Sequence, residues 1–275
     1  MIADINNTKI YYTIQGKGKP IFLMHGGLGL DHTTLKPWLD PFSKDFSLIY
    51  YDHRGNGRSA RPPFETLSHE NFVEDAEELR KLLNFHKFIL LGHSYGSFIA
   101  LEYAIRHSQN LSHLILVGTA ASYEFLEPCR KNALQRLKDY NLDTNENREV
   151  VERWINGEIR NHEEFMRLGE LYNQISSPHP ERSTETIFDH QTFNYTIKNC
   201  LLKYDLRNEL DKINVPTLII NGKNDWDTPI EHAFLVHKGI KNSTFVAFEN
   251  SEHEPFADEE EAFIKTIKEW IISTE

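Results

Sequence analysis

A serine with a glycine two residues to each side, Gly92-His-Ser94-Tyr-Gly96, stands between an apolar run, Phe88-Ile-Leu-Leu91, and a helix-forming one, Ser97-Phe-Ile-Ala-Leu-Glu-Tyr-Ala-Ile105. No other stretch limits the fold as much. A chain that passes from a buried strand straight into a helix must turn sharply, and the serine at the corner is held in a strained conformation. That turn is tolerable only where the flanking positions lack a Cβ, which glycine supplies. The corner also carries the Ser94 hydroxyl to the carboxyl edge of a sheet, where open α/β folds bind ligands. Ser94 is therefore the candidate nucleophile.

The surrounding sequence supplies such a sheet. Short β-branched or aromatic runs recur at Lys9-Ile-Tyr-Tyr-Thr-Ile14, Pro20-Ile-Phe-Leu-Met24 and Phe46-Ser-Leu-Ile-Tyr-Tyr51. Between the last of these and Phe88, the stretch 68–83 repeats Phe72, Ala76, Leu79, Leu82 and Leu83 at helical spacing, behind a serine able to cap the first turn. This predicts a strand-helix-strand crossover. Continuous apolar strands, such as Leu114-Ile-Leu-Val117, suit a parallel sheet covered on both faces.

After Val117-Gly-Thr-Ala-Ala121 the rhythm breaks. Residues 122–207 carry helical patterns, at 146–155 and 162–172, interrupted by the breaker cluster Ser176-Ser-Pro-His-Pro180. Strand patterns return at 215–220 and 244–248, with a helix between them and a closing amphipathic helix at 258–272. A chain of 275 residues is long for one ordinary domain and short for two. The expectation is one α/β core, residues 1–121 and 208–275, with a helical cap inserted at 122–207.

Charge and cysteines narrow the function classes. The net charge of -11, from 41 acids against 30 bases, argues against a nucleic-acid partner, which needs a basic face. Cys129 and Cys200 are the only cysteines, so no disulfide framework holds the fold, though one bridge stays open. The start, Met1-Ile-Ala-Asp-Ile-Asn-Asn7, lacks a basic region followed by an apolar stretch, and the apolar runs are strand-sized. The expectation is a cytoplasmic protein with a small-molecule substrate and neither a membrane nor a nucleic-acid partner.

A serine nucleophile needs a base and an orienting acid. Of fourteen histidines, His253 follows the last strand pattern, on a loop at the carboxyl edge where Ser94 also emerges. His93 neighbours the nucleophile within the turn, and its side chain is expected to point elsewhere. The acid belongs after the penultimate strand, where Asn221-Gly-Lys-Asn-Asp225-Trp-Asp227 offers Asp225 and Asp227. Negative charge developing on an attacked carbonyl needs backbone donors. The glycine loop His25-Gly-Gly27-Leu-Gly29 and the residue after the serine supply two, the N–H groups of Gly27 and Tyr95. A dinucleotide-loop reading of the same glycines fails, since His32 stands where a third glycine would be required.

Together these segments, with Tyr51-Asp-His-Arg-Gly-Asn-Gly-Arg-Ser59, resemble the α/β-hydrolase superfamily, and within it the proline iminopeptidase-like and esterase group. The resemblance implies a mostly parallel eight-stranded sheet flanked by helices, with a helical cap after the sixth strand. It implies a Ser94–His253–Asp225 triad, the acid falling three residues after a glycine, with Asp227 as the fallback. It implies no metal and no organic cofactor. Dehalogenases and epoxide hydrolases of this fold are similar but place an aspartate at the position of Ser94.

Two departures favour an ester over a peptide substrate. Leu28 stands where proline iminopeptidases typically carry proline, and Gly92-His-Ser94 stands where they often read Gly-Gly-Ser. The expected activity is hydrolysis of a small or medium carboxylic ester, with an aminopeptidase as the alternative and a slow ligand sensor on the same scaffold as the reading from another class. Lid acids such as Glu163, Glu164 and Glu170 hold the substrate's amino group in similar peptidases, but here they suit an acidic helix surface equally well. Seven aromatics of the insert, Trp154, Phe165, Tyr172, Phe188, Phe193, Tyr195 and Tyr204, are candidates either for a pocket over Ser94 or for packing the cap onto the core. The glycines of the 52–59 segment are expected to serve backbone geometry.

Overall fold

The computed structural model describes residues 1–176 and 186–274, so residues 177–180 of the breaker cluster lie outside the described residues. Eight strands form one sheet: β1 (Ile2–Ile5), β2 (Thr8–Gly16), β3 (Lys19–Met24), β4 (Phe46–Tyr51), β5 (Phe88–His93), β6 (Leu111–Val117), β7 (Thr217–Gly222) and β8 (Ser243–Phe248). Their order is β1-β2-β4-β3-β5-β6-β7-β8. The β1–β2 and β2–β4 pairs are antiparallel and the remaining pairs parallel. Parallel neighbours need crossovers. Helices α1 (His69–Leu82), α2 (Tyr95–His107) and a later helix over Ile230–Gly239 provide three of them.

Strand alternation divides the core into two layers. Phe22, Met24, Leu90, Leu114 and Leu116 face one side, toward α1 and α2. Ile21, Leu23, Ile89, Leu91 and Val117 face the other, where Phe256, Phe263 and Ile267 cover them. Strands β4 and β5 are buried along their whole length, as their unbroken apolar runs require.

A helical insert follows β6: α3 (Leu126–Asp139), α4 (Asn145–Asn156), α5 (His162–Ile175) and α6 (His190–Asn199). Helix α7 is the Ile230–Gly239 segment, and the chain closes with α8 (Pro255–Asp258) and α9 (Glu260–Ser273). The closing helix thus begins earlier than its sequence pattern and breaks at Glu259. There the side chain turns back to accept hydrogen bonds from Asn250 N (3.0 Å) and Ser251 Oγ (2.6 Å). Cys129 and Cys200 are both buried free thiols, so the bridge left open by the sequence does not form. No helix among the described residues is long and apolar enough to cross a membrane.

The 52–59 turn is a structural hub. Arg54 reaches Asp75 of α1 through Nε (2.6 Å) and Nη2 (2.5 Å). Asp52 accepts from His32 N (3.0 Å) and Arg58 N (2.7 Å), and its carboxylate lies 2.6 Å from His32 Nδ1. Thr192 of α6 donates to Gly55 O (2.9 Å), which joins the insert to the core.

Candidate active site

The parallel registers align the ends of four strands: Met24 pairs with Gly92, His93 with Val117, and Val117 with Ile220. The loops that leave β3, β5, β6 and β7 therefore meet at one edge. Ser94 leaves β5 with φ 53° and ψ −127° and begins α2. Its N–H donates to Val117 O (2.9 Å), pinning the turn to β6. The glycine requirement is steric. A Cβ on Gly96 would lie 2.2 Å from Met24 O, and one on Gly92 would lie 2.5 Å from Gly96 O. Gly26 belongs to the same cradle, since its Cβ would fall 2.8 Å from that of Ser94.

Asp225 and His253 meet behind this turn. Asp225 Oδ1 accepts from the N–H groups of Asp227 (3.0 Å) and Thr228 (2.8 Å), and Oδ2 accepts from Asn221 Nδ2 (3.2 Å). His253 Nδ1 lies 2.9 Å from Asp225 Oδ2. In the neutral ring a carboxylate there draws the proton to Nδ1 and leaves the lone pair on Nε2. Asp227 goes to the opposite side of the ring, with Oδ2 3.7 Å from Nε2. Of the two acids left open by the spacing alone, Asp225 is thus the one at Nδ1.

Electrostatics differ among the three groups. Burial opposes a charged His253, but the neighbouring carboxylates of Asp225 and Asp227 outweigh it and raise the imidazole to about 9. Burial pushes the Asp227 carboxyl above the ordinary range, partly offset by His253. Asp227 is also bonded to the insert: Tyr172 Oη donates to Oδ2 (3.1 Å) and Cys129 Sγ to Oδ1 (3.4 Å). His93 lies with Nε2 3.1 Å from His253 O, so it supports the backbone of that loop.

Gly27 sits in the loop after β3 with φ +48°, and a Cβ there would strike Leu30 Cδ1 at 2.6 Å. Tyr95 is the first residue of α2, so its N–H has no partner within the helix. The Tyr95 hydroxyl is anchored 2.7 Å from His69 Nε2, and His69 Nδ1 lies 3.1 Å from Glu102 Oε2.

A cavity of about 270 Å³ brings Gly27, Ser94, Asp227 and His253 to one space under the insert. Five of the seven aromatics line it: Trp154, Phe165, Tyr172, Phe188 and Phe193. The other two pack the insert onto the core, Tyr195 stacking on Phe64 at 5.3 Å and Tyr204 on Phe98 at 5.1 Å. Of Glu163, Glu164 and Glu170, only Glu170 lines the cavity. Glu164 is held by Arg153 Nε (3.0 Å), and Glu163 faces solvent.

Sequence reasoning missed Glu254 in the lining and Gly118 beside the imidazole. For Gly118 a signal existed. It directly follows an apolar run just as Gly92 does, and a Cβ there would lie 2.9 Å from His253 Cε1.

The chain belongs to the α/β-hydrolase fold family, whose pattern it matches over residues 19–260. It is 31% identical to the proline iminopeptidase of Saccharolobus solfataricus, over 98% of this chain and 90% of that one. A proline iminopeptidase of Pestalotiopsis fici is 26% identical over 97% of each chain. Among solved structures, an esterase from Exiguobacterium antarcticum superposes with a TM-score of 0.69 at 26% identity, covering 97% of both chains. The protein is thus a hydrolase of this fold, with peptide-bond and ester chemistry both represented among its relatives.

Proposed function

We propose that this protein is a serine hydrolase that transfers a small acyl group from a carboxylic ester to water, with residues 122–207 as the cap over its site. The observation that carries the reading is the His253–Asp225 contact of 2.9 Å beside a serine held at φ 53° on the same cavity. His253 takes the Ser94 proton through Nε2 as the hydroxyl attacks the ester carbonyl, while Asp225 fixes the tautomer and stabilises the imidazolium. The N–H groups of Gly27 and Tyr95 receive the oxyanion. The leaving alcohol departs with the proton from His253. Water activated by the same histidine then hydrolyses the acyl-enzyme.

A second reading, release of an N-terminal residue from a peptide, is favoured by one feature. Glu170, Asp227 and Glu254 line the cavity among largely apolar neighbours, a setting that suits a substrate ammonium group. A panel of p-nitrophenyl esters, amino-acid arylamides and their N-acetylated forms, with Ser94→Ala as the blank, tests both. Ser94-dependent ester turnover indifferent to a free amine supports the first reading. A preference for free over acetylated arylamides supports the second, and turnover that survives Ser94→Ala overturns both.

A further inference from the structure

The space at Ser94 is divided. Besides the 270 Å³ cavity, a second chamber of about 90 Å³ borders the same serine and is lined by Phe98, Phe125, Leu126, Ile197 and Leu201. Gly27, Leu28, Ser94, Trp154, Phe193 and Asp227 border both spaces. His253 borders only the larger one, and Tyr95 only the smaller.

This asymmetry assigns the two halves of a substrate. A carbonyl carbon attacked by Ser94 carries an oxyanion, a leaving group and an acyl substituent. The leaving heteroatom must reach the proton on His253, which directs it into the larger cavity. The oxyanion turns to Gly27 and Tyr95, and the acyl substituent is left the remaining direction, beyond Tyr95. We infer that the small chamber is the acyl compartment and the large cavity the leaving-group compartment, making the enzyme selective for short acyl chains on bulky, apolar leaving groups. The inference rests on the serine-hydrolase reading above.

Its chemistry follows from the linings. Phe98 and Phe125, whose ring centroids are 5.3 Å apart, both line the acyl compartment, and its volume of about 90 Å³ limits the chain it can take. A chain of more than a few carbons has to displace them. The large cavity is walled by Phe165, Phe188 and Met166, and Met166 is partly exposed, so a larger group there extends toward solvent instead of meeting a wall.

Two ester series test the division: p-nitrophenyl esters from acetyl to octanoyl, and acetate esters of alcohols from methyl to naphthylmethyl. The expected result is kcat/KM falling by about tenfold or more from butanoyl to octanoyl, with no matching fall as the alcohol grows. Phe125→Ala should flatten the acyl profile. The milder Leu126→Ala, at a half-buried position, repeats the test should the first variant fold poorly. Met166→Ala should change only the alcohol profile. Ser94-dependent turnover with a flat wild-type acyl profile, or a profile that neither Phe125→Ala nor Leu126→Ala alters, overturns the compartment assignment alone. Absence of Ser94-dependent turnover in both series overturns the hydrolase reading, and the compartments fall with it.

Discussion

Asp227 approaches His253 from the side of Nε2, at 3.7 Å, opposite the nitrogen that meets Asp225. The imidazole therefore lies between two carboxylates, and the second sits at the nitrogen that the proposed mechanism uses as the base. Asp227 is also one of the points at which the insert reaches the core loops, through Tyr172 and Cys129. A charge so placed stabilises the imidazolium that the proposed acylation step forms, and it equally stabilises the imidazolium of the resting protein, which cannot act as a base.

The pH dependence follows from that relationship. With the imidazole raised to about 9, the neutral base increases as pH rises, so kcat/KM should climb through a midpoint near that value. Asp227→Asn should move the midpoint downward, measured as kcat/KM against pH on one ester. Stability runs the other way. A histidine whose folded value lies above its unfolded value of about 6.5 contributes stability below the latter, and loses it as pH rises through the former. Urea midpoints should accordingly decline toward pH 9, and less so in Asp227→Asn.

Ser94 carries a stability cost that two substitutions separate. Its φ of 53° with ψ −127° is a sparsely populated region for a residue with a Cβ, worth of order 1–3 kcal/mol. Ser94→Ala keeps the Cβ and the strain, whereas Ser94→Gly relieves it. Both should lose several orders of magnitude in kcat. Only Ser94→Gly should gain stability, by about 1 kcal/mol once the added chain entropy of glycine is subtracted. Equal unfolding midpoints for the two variants would contradict the strain argument.

Gly118 gives a test aimed at His253 without replacing any residue of the proposed triad. Its φ is +59°, and a Cβ would lie 2.9 Å from His253 Cε1 and 3.1 Å from Nδ1. Gly118→Ala should push the ring from its position and lower kcat by about a hundredfold, the scale for an ångström-sized misplacement. KM should change far less. A variant that folds and keeps wild-type kcat would show that the ring tolerates displacement.

These features were unevenly legible in the sequence. Strands β3 to β7 stood out because both their faces are covered, which demands unbroken apolar runs. β1 escaped notice because an exposed edge strand of four residues buries only Ala3 well. α3 escaped for a related reason. Its buried face is Cys129, Ala133 and Leu137, a sparse stripe in a strongly polar helix. The Ser94 turn could be read because glycine is obligatory at Gly92 and Gly96. The surroundings of Asp227 could not, since Tyr172 and Cys129 reach it from helices 55 and 98 residues away in the chain.

The 52–59 turn offers the last prediction, on stability alone. Arg54 and Asp75 are 3% and 2% exposed, and the guanidinium meets the carboxylate through two nitrogens. Burial still pushes the Asp75 carboxyl above its ordinary value, with Arg54 opposing, so the pair only partly offsets its own desolvation. Removing one member is therefore costly and removing both is not. Arg54→Met should destabilise by about 3–5 kcal/mol, because it leaves Asp75 with only the Asn6 amide at 3.1 Å from Oδ1 among these contacts. Arg54→Met with Asp75→Leu should cost much less than the sum of the single variants. Urea unfolding of the three variants measures this. Because neither residue lines the cavities at Ser94, kcat/KM per folded molecule should stay at the wild-type value, and a loss there would show that the turn also positions the glycine loop after β3 through Asp52 and His32.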